Sequence, residues 1–425
     1  MIFERTDVIK PSGLDVQKRH GRQSGTFDFS PATIMSNPHL PAEMLDDIVD
    51  HLHDTKDALK SCCLASKSWV ERARKHLFSY VAFRSPKQLQ SWKTAFPSPS
   101  ISPARYTTSL FVKFPQVVTP EDAKEGGWIL TFSRVVRLEI SVVHIRNFEP
   151  LSLFRGFSPV IRSLRIVSIL IPSSHFLNLI CSFPLLEDLS VITEWLVEFE
   201  DISDTQPTLI QPSKPPSLTG SLELYLPMGV SLLAPTLLSL PSGPHFKQLD
   251  LVWSSDEDMS LTAALVEKCH HTLERLCVSL WPGTSVRHSH PHTLVTLTPF
   301  AGCPMPRPID LSKATELKEM ALPCKSHPQW IVTTLQTITN DHKHLRQITL
   351  DNLDLDRFDP ADSTPREWSE LDRSLFRLWT SHSIQIEVTY DGTMPKDKVR
   401  MCLESLLPEF TRGGEVEPIS RESQL

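Results

Sequence analysis

Histidine and cysteine residues are the first candidates for chemistry in this sequence. His288, His290 and His292 alternate along a short segment, and Cys303 follows them. Alternating histidines are able to reach one metal ion, because zinc binds imidazole nitrogens and thiolates. The segment is rich in proline, however, and it offers no fourth ligand at a tight spacing. These residues favour a solvated loop over a metal site, and we predict no metal or other cofactor.

Other catalytic patterns are missing or weak. The chain has 14 Gly and 35 Pro, and it contains no P-loop, no G-x-G-x-x-G motif and no G-x-S-x-G elbow. Phosphate-binding loops need clustered glycines, because only Gly lets backbone N–H groups close on a phosphate. Acid pairs such as Asp46-Asp47 and Asp256/Asp258 are adjacent or lie in a polar turn, and nothing places them across a cleft. We predict that the chain is not an enzyme; an unrecognised active site is the least favoured alternative.

Composition restricts the class of protein further. The chain has 425 residues, 40% hydrophobic and 22% charged, with a net charge of −7. No apolar run approaches the ~18 residues of a membrane span, and the charged start lacks the apolar region of a signal peptide. The eight Cys form no C-x-x-C, which indicates reduced thiols. We expect an intracellular protein, cytoplasmic or nuclear, without nucleic-acid or membrane partners.

The N-terminal part of the chain predicts a disordered leader followed by a helical module. Residues 1–36 mix polar, charged and small types without a steady period. Residues 37–80 predict three short helices, with Asp54 as a candidate N-cap of the second and Ser66 of the third. The apolar stripe of the first helix is Met44, Leu45, Ile48, Val49 and Leu52. The inner face of the third is Trp69, Val70, Ala73 and Leu77. Short connections require the helices to pack on one another.

This module resembles an F-box. The resemblance is carried by Leu40-Pro41, the helix 43–52, the turn 54–59, Ser66-Lys67-Ser68-Trp69 and Lys75-His76-Leu77-Phe78. The family often has Cys four residues before the Trp, where this chain has Ala65. F-boxes bind the Skp-family adaptor of a cullin–RING ubiquitin ligase, so the resemblance implies an adaptor-binding surface. The residues expected to form it are Leu40, Pro41, Met44, Leu45, Ile48, Leu52, Leu59, Leu64 and Trp69.

A helical cap on a larger domain is the alternative for this module. A bundle of about forty residues buries little surface, so an exposed apolar face must meet either a partner or the downstream domain. The third helix also carries a basic run, which predicts a solvated charged face. The run is Lys67, Arg72, Arg74 and Lys75.

A short phrase, apolar-x-x-apolar-x-apolar, recurs beyond a Pro/Ser cluster at residues 97–103 that predicts a loop. Its central positions are residues 138, 164, 189, 222, 249, 276, 320 and 348. They lie 25–28 residues apart, except for intervals of 33 and 44 that contain the proline-rich stretches 211–216 and 281–308. The copy centred on Leu222 is poorer, because it begins at Thr219. Stretches 174–183 and 260–270, between phrases, are typical of helices.

The recurring phrase resembles a leucine-rich repeat, whose units span about 20–29 residues. The resemblance implies an α/β fold, an irregular open solenoid with its strands on the concave side. The family's Asn or Cys ladder is missing, and an ordinary α/β domain with leucine-rich strands is the alternative. The predicted divisions are a linker and start of the solenoid at 81–130, the repeats at 131–412 and a loose tail at 413–425. A helix, a strand and a last helix between residues 367 and 410 predict a capping unit.

Outward strand positions of such a solenoid form a recognition surface for a target. Their charges have mixed signs, which suits a protein partner better than a phosphate backbone. A solvated strand face without a partner is the alternative for each residue. The positions are Arg137, Glu139, Arg165, Asp188, Ser190, Glu223, Tyr225, Asp250, Arg275, Gln347 and Asp351.

An F-box-like module followed by leucine-rich repeats resembles the substrate receptor of an SCF-type ubiquitin ligase, in the style of the large F-box families of filamentous and mushroom-forming fungi. The resemblance implies two partners, a Skp-family adaptor and a protein target of unknown identity. It implies a positioning mechanism, in which the ligase gains effective concentration of a target lysine. The alternative is a leucine-rich-repeat scaffold that recruits no ligase.

Overall fold

The computed structural model describes residues 41–98, 101–114, 131–142, 157, 159–167, 173–192, 216–225, 230–253, 256–280, 307–324, 328–353, 366–390, 395–413 and 416–420. The chain divides into two compact units, residues 2–136 and residues 137–425. The predicted leader, Leu40 and the histidine-rich segment with Cys303 lie outside the described residues.

Three helices begin the first unit, as the sequence predicts. They are α1 (Ala42–His51), α2 (Lys56–Ala65) and α3 (Lys67–Leu77). Their common core consists of buried Val49, Leu59, Cys62 and Ala73, against which Leu52, Cys63, Trp69 and Leu77 pack. The helices therefore bury the apolar stripes that their sequences show, and α3 contacts both α1 and α2.

Two of the helix starts were predicted from capping residues. The Ser66 hydroxyl accepts a hydrogen bond from the Ser68 N–H at 3.4 Å, which confirms Ser66 as the N-cap of α3. The prediction for α2 is wrong, because its N-cap is Thr55 and not Asp54. Thr55 makes no side-chain cap hydrogen bond, so tertiary packing rather than a cap determines where α2 begins.

The segment predicted as a linker is folded over much of its described length. It contains β1 (Tyr80–Phe83), α4 (Pro86–Ala95), a short 3-10 helix (Pro103–Tyr106) and β2 (Ser109–Phe114). The 3-10 helix includes Pro103, at the end of the Pro/Ser cluster predicted as a loop. Strands β1 and β2 pair in parallel. The sequence contains a helix-start pattern for α4 that the prediction of a linker overlooked: Ser85 is the N-cap, and Pro86 occupies the first turn.

Aromatic packing gives the first unit a second core. The Phe83 ring lies 5.7 Å from the Trp92 ring and 6.0 Å from the Phe132 ring, both edge to face. Trp92 also contacts Phe78 and Phe96, at 6.0 and 4.8 Å between ring centroids. These contacts join β1 to α4, which explains why residues after position 80 fold with the three helices rather than as a linker.

The second unit alternates strands and helices. Its strands are β3 (Arg137–Val142), β4 (Ser163–Val167), β5 (Asp188–Ile192), β6 (Ser221–Tyr225), β7 (Gln248–Trp253), β8 (Arg275–Leu280), β9 (Glu319–Pro323), β10 (Gln347–Leu353), β11 (Gln385–Tyr390) and β12 (Val416–Ser420). Its helices are α5 (Ser173–Cys181), α6 (Ala234–Leu238), α7 (Asp256–Cys269), α8 (Pro328–Gln336), α9 (Arg366–His382), α10 (Lys396–Leu406) and α11 (Pro408–Gly413).

Each strand of the second unit pairs in parallel with the strand that follows it in the sequence. A doubly wound α/β sheet reverses its strand order at a switch point, and no reversal occurs between β3 and β12. The architecture is therefore a leucine-rich-repeat-like strand–helix array, as the recurring phrase predicts, rather than an ordinary α/β domain.

The central residues of the recurring phrase are register partners across the sheet. In order they are Leu138, Leu164, Leu189, Leu222, Leu249, Leu276, Met320, Ile348 and Ile386. All of them are buried. We call this row the central ladder. Its predicted members are confirmed one by one, and Ile386 extends it into the segment predicted as a cap.

Two sequence predictions for the repeats are wrong. Residues 416–420, assigned to a loose tail, form β12, whose Val416 pairs with Ile386 of β11 and satisfies the backbone groups of that strand edge. Thr219 is not the first apolar position of the copy centred on Leu222, because Thr219 is exposed and the neighbouring Leu218 is buried in its place. Leu218 adopts φ +42°, and its N–H donates to the Leu186 carbonyl at 3.0 Å.

The central ladder makes a prediction about stability. We expect Leu249→Ala to lower the free energy of unfolding by about 2–5 kcal/mol, because it leaves a cavity between Leu222 and Leu276. Urea unfolding followed by tryptophan fluorescence measures the change. The matched control is Gln248→Ala on the same strand, where the side chain is exposed and the change should stay within about 0.5 kcal/mol. If Leu249→Ala and Gln248→Ala lower the free energy of unfolding equally, the structural role assigned to the central ladder is contradicted.

Candidate protein-interaction surfaces

Helix α1 carries two apolar stripes. Val49 and Leu52 belong to one, and they pack in the helical core. Pro41, Met44 and Ile48 form the other, at positions i, i+3 and i+7; the side chains of Met44 and Ile48 are 51% and 46% exposed. A helix that packs only against its own core needs a single apolar stripe. Within the part of the chain that the structure describes, the second stripe is therefore left outside the helical core.

The predicted adaptor-binding residues divide into three groups. Pro41, Met44, Ile48 and Leu64 are exposed, Leu64 on α2 at 89%. Leu45, Leu52 and Trp69 are half-buried. Leu59 is fully buried in the helical core, which corrects the expectation that it contributes to a contact surface: it holds the helices together.

An ion-pair cluster fastens α1 to α3. The Arg72 guanidinium donates to both carboxylate oxygens of Asp50, from Nε at 2.6 Å, and His76 Nε2 lies 2.7 Å from Asp50 Oδ1. The hydrogen bond from Arg72, followed by that from His76, holds the pKa of Asp50 well below its usual 3.8. Arg72 thus departs from the predicted solvated basic face, whereas Arg74 and Lys75 are exposed as expected.

This cluster predicts a pH dependence. Since the pKa of Asp50 is lowered in the folded chain, its contribution to stability is complete above the ordinary aspartate pKa of 3.8 and is lost as the pH falls through the lower folded-state value. We expect Asp50→Asn to lower the unfolding free energy most at neutral pH, with a difference that shrinks below pH 3.8.

Chemical unfolding across the pH range measures this difference for the wild type and the variant. Asp57→Asn is the matched control, because Asp57 forms an exposed i,i+3 pair with Lys60 at 2.7 Å, and such surface pairs contribute little. A difference between wild type and Asp50→Asn that does not change with pH contradicts the role assigned to the carboxylate.

The predicted target-binding residues share one face of the repeat sheet, opposite to the central ladder. We call it the polar face; it consists of the strand side chains that alternate with the buried ones. Its exposed members are Arg137, Arg165 and Arg275. Its half-buried members are Glu139, Asp188, Ser190, Glu223, Tyr225, Asp250, Gln347 and Asp351. The sequence thus placed all of these side chains on the same face.

Asp188 on the polar face has a structural role. Its Oδ1 accepts hydrogen bonds from the backbone N–H of Ser221 at 2.8 Å and from the Ser221 hydroxyl at 3.0 Å. The carboxylate lies so close to Gly220 that a Cβ there would come within 2.1 Å of it. Asp188 therefore joins β5 to β6 through Oδ1, and its role in binding a target stays a prediction.

The centre of the polar face carries a half-buried acidic group of residues. Glu223 and Asp250 are register partners on β6 and β7. The Ser190 hydroxyl donates to Glu223. Burial raises the pKa of Asp250, and it also raises the pKa of the neighbouring Tyr225 phenol and, to about 12, that of the Cys277 thiol. These groups stand close enough to influence one another, which the sequence alone did not reveal.

Sequence reasoning missed several residues of the polar face. Asp351 Oδ1 accepts a hydrogen bond from the Thr389 hydroxyl at 2.7 Å, which joins β10 to β11. Side chains alternate along β11, so this alternation places Glu387 and Thr389 on the polar face. The strand does not match the recurring phrase, because its first apolar residue, Ile384, lies two residues before the central Ile386, where the phrase requires three. The missed residues are Cys277, Glu319, Thr349, Glu387 and Thr389.

The described part of the chain contains no group of three or more His, Cys, Asp or Glu residues placed to hold a metal ion. Among the helices whose residues the structure describes, none has the length and apolar character required to cross a membrane.

Comparison with known proteins gives a sparse result. No protein-family model matches the sequence, and no curated protein matches it. Among solved structures, the chain is similar to LegL7, a leucine-rich repeat-containing protein from Legionella pneumophila, with 12% identical residues and a TM-score of 0.33. The similarity covers 82% of this chain and 88% of LegL7.

Proposed function

We propose that this chain is the substrate-receptor subunit of an SCF-type cullin–RING ubiquitin ligase. In this role the helices α1 to α3 bind a Skp-family adaptor, and the polar face of the repeat sheet binds a protein target. The observation that carries the proposal is the second apolar stripe of α1, in a segment whose sequence resembles an F-box.

The exposed stripe supports adaptor binding through its chemistry. Met44 and Ile48 lie one helical turn apart, and Leu64 presents a further exposed apolar side chain on α2. Apolar side chains at i and i+4 are typical anchors where a helix meets a hydrophobic groove. The Asp50–Arg72 ion pair between α1 and α3 helps to hold α1, and therefore the stripe, in place before binding.

The mechanism is positioning rather than bond chemistry. The adaptor-bound module attaches the chain to the ligase, and the repeat sheet holds the target near the ubiquitin-loaded enzyme. Attachment makes the meeting of lysine and enzyme effectively intramolecular, which raises the local concentration of the lysine. No residue of this chain forms or breaks a covalent bond in this scheme, and no cofactor takes part.

A leucine-rich-repeat scaffold without ligase recruitment is the second candidate. The observation that favours it is the continuity of the first unit: α3 contacts the 3-10 helix Pro103–Tyr106, and the three helices fold in one compact unit with β1, α4 and β2. Helices whose role is to complete such a unit need no adaptor. In this case the polar face alone carries the function.

An adaptor pull-down separates the two candidates. The full chain and the variant Met44→Glu/Ile48→Glu are each incubated with an immobilised Skp-family adaptor, and the captured fraction is measured. We expect the wild type to bind and the variant to bind at least about thirtyfold more weakly, because two apolar anchors are replaced by charges. Glu is a good helix former, so the variant should keep its helix content, which circular dichroism verifies.

Met401→Glu is the matched control. Met401 is 69% exposed on α10, so the substitution makes the same chemical change on a helix outside the proposed surface. Its binding should equal that of the wild type. If the folded wild type captures no adaptor, the ligase role is excluded and the scaffold candidate remains.

A further inference from the structure

The polar face is far more acidic on β5 to β11 than its overall composition suggests. The acidic side chains of these strands on this face are Asp188, Glu223, Asp250, Glu319, Asp351 and Glu387. Among the described residues of the same strands and face, Arg275 is the one basic side chain, and it lies 3.8 Å from Glu319. The other basic side chains of the predicted target-binding set, Arg137 and Arg165, lie on β3 and β4.

Two carboxylates stand side by side at the centre of this face. Glu223 and Asp250 occupy the same register position on neighbouring strands, which lie about 4.8 Å apart in a sheet. Like charges directly opposite each other destabilise a strand pair. Glu223 receives a hydrogen bond from Ser190. The carboxylate of Asp250 has Cys277, Arg275 and Tyr225 beside it, each of which favours its charged form, but its Oδ1 is buried without a hydrogen-bond partner in the part of the chain that the structure describes.

The surroundings of these carboxylates indicate what would relieve their repulsion. Tyr225 and Ile192 are register partners beside them, so an aromatic ring and an aliphatic side chain flank the acidic groups. A guanidinium or ammonium group on an alkyl stem fits such a surface, because its charge meets carboxylates and its stem meets apolar carbon. Burial also raises the pKa of Asp250, which indicates poor solvation of its charge.

A metal ion suits this place less well. Calcium takes about six to eight oxygen ligands, and no set of three potential ligands is present among the described residues. Charge complementarity therefore favours an organic cation, and the row of acids along several strands favours several cations carried on one chain.

We infer that the polar face of β5 to β8 binds a basic segment of a partner protein, with an arginine or lysine side chain seated between Glu223 and Asp250. The inference deepens the proposed function, on whose target-binding role for the polar face it rests, by naming the chemical class of the target. It does not depend on adaptor binding by the helices.

Peptide binding to the isolated full chain tests this inference. The probe is a fluorescein-labelled nonapeptide of alternating arginine and serine, followed by fluorescence anisotropy; a peptide with glutamate in place of arginine is the negative probe. We expect the wild type to bind the basic peptide alone, and added salt to weaken binding. The variant Glu223→Gln/Asp250→Asn should bind at least about tenfold more weakly, because charge-assisted hydrogen bonds to two carboxylates are lost.

The matched control is Glu257→Gln/Glu267→Gln, which removes two exposed charges from α7 and so gives the same net charge. Its affinity should remain within about twofold of the wild type. Equal loss in both variants means that net charge alone attracts the peptide, and it overturns the inference, as does binding by Glu223→Gln/Asp250→Asn at wild-type strength. Absence of any binding to the wild type overturns it too.

Folding of the variants is measured by thermal melting. Since the substitutions remove like-charge repulsion, the double variant should melt no lower than the wild type, and Asp250→Asn alone serves if the double variant fails to fold. No adaptor is present in this experiment, so its outcome is independent of the adaptor pull-down. If the chain captures no adaptor but binds the basic peptide, the ligase role is rejected and the inference of a basic target stands.

Discussion

The central ladder is the constraint on which the rest of the repeat sheet depends. One buried residue from each strand, from Leu138 to Ile386, meets its register partner on the next strand. Because side chains alternate along a strand, this single choice of register also decides which residues point to the opposite face. A shift by one residue would bury Glu223 and Asp250 and expose the leucines, so burial of the ladder strongly specifies the polar face.

Burial of a few core residues also determines the orientation of α1 in the first unit. Val49 and Leu59 occupy the core, and the Asp50–Arg72 pair joins α1 to α3, so the orientation of α1 is determined from two sides. With α1 held in this way, Met44 and Ile48 lie outside the helical core and are exposed among the residues that the structure describes. Apolar exposure of this kind is unfavourable in an isolated chain, and the proposed adaptor contact would remove it.

The polar face departs from what stability alone would favour. Glu223 and Asp250 repel each other, and Asp250 places an oxygen in a buried position without a hydrogen-bond partner among the described residues. Asp188, by contrast, has one carboxylate oxygen, Oδ1, hydrogen-bonded within the fold to the backbone N–H and the hydroxyl of Ser221. Local rules are most often broken at functional sites, where a ligand supplies the missing interaction. The contrast between these carboxylates separates a structural acid from a candidate binding group.

The sequence by itself determined the three helices, the Ser66 cap, the recurring phrase and the face of each strand residue, because helix and strand periodicity are local properties. Tertiary structure decided the rest. It buried Leu59, joined Asp188 to Ser221, buried Leu218 in place of Thr219 and paired residues 416–420 with β11 as β12. Each of these outcomes depends on contacts between residues that are not neighbours in the chain, and such contacts are not encoded in the local periodicity of any one element.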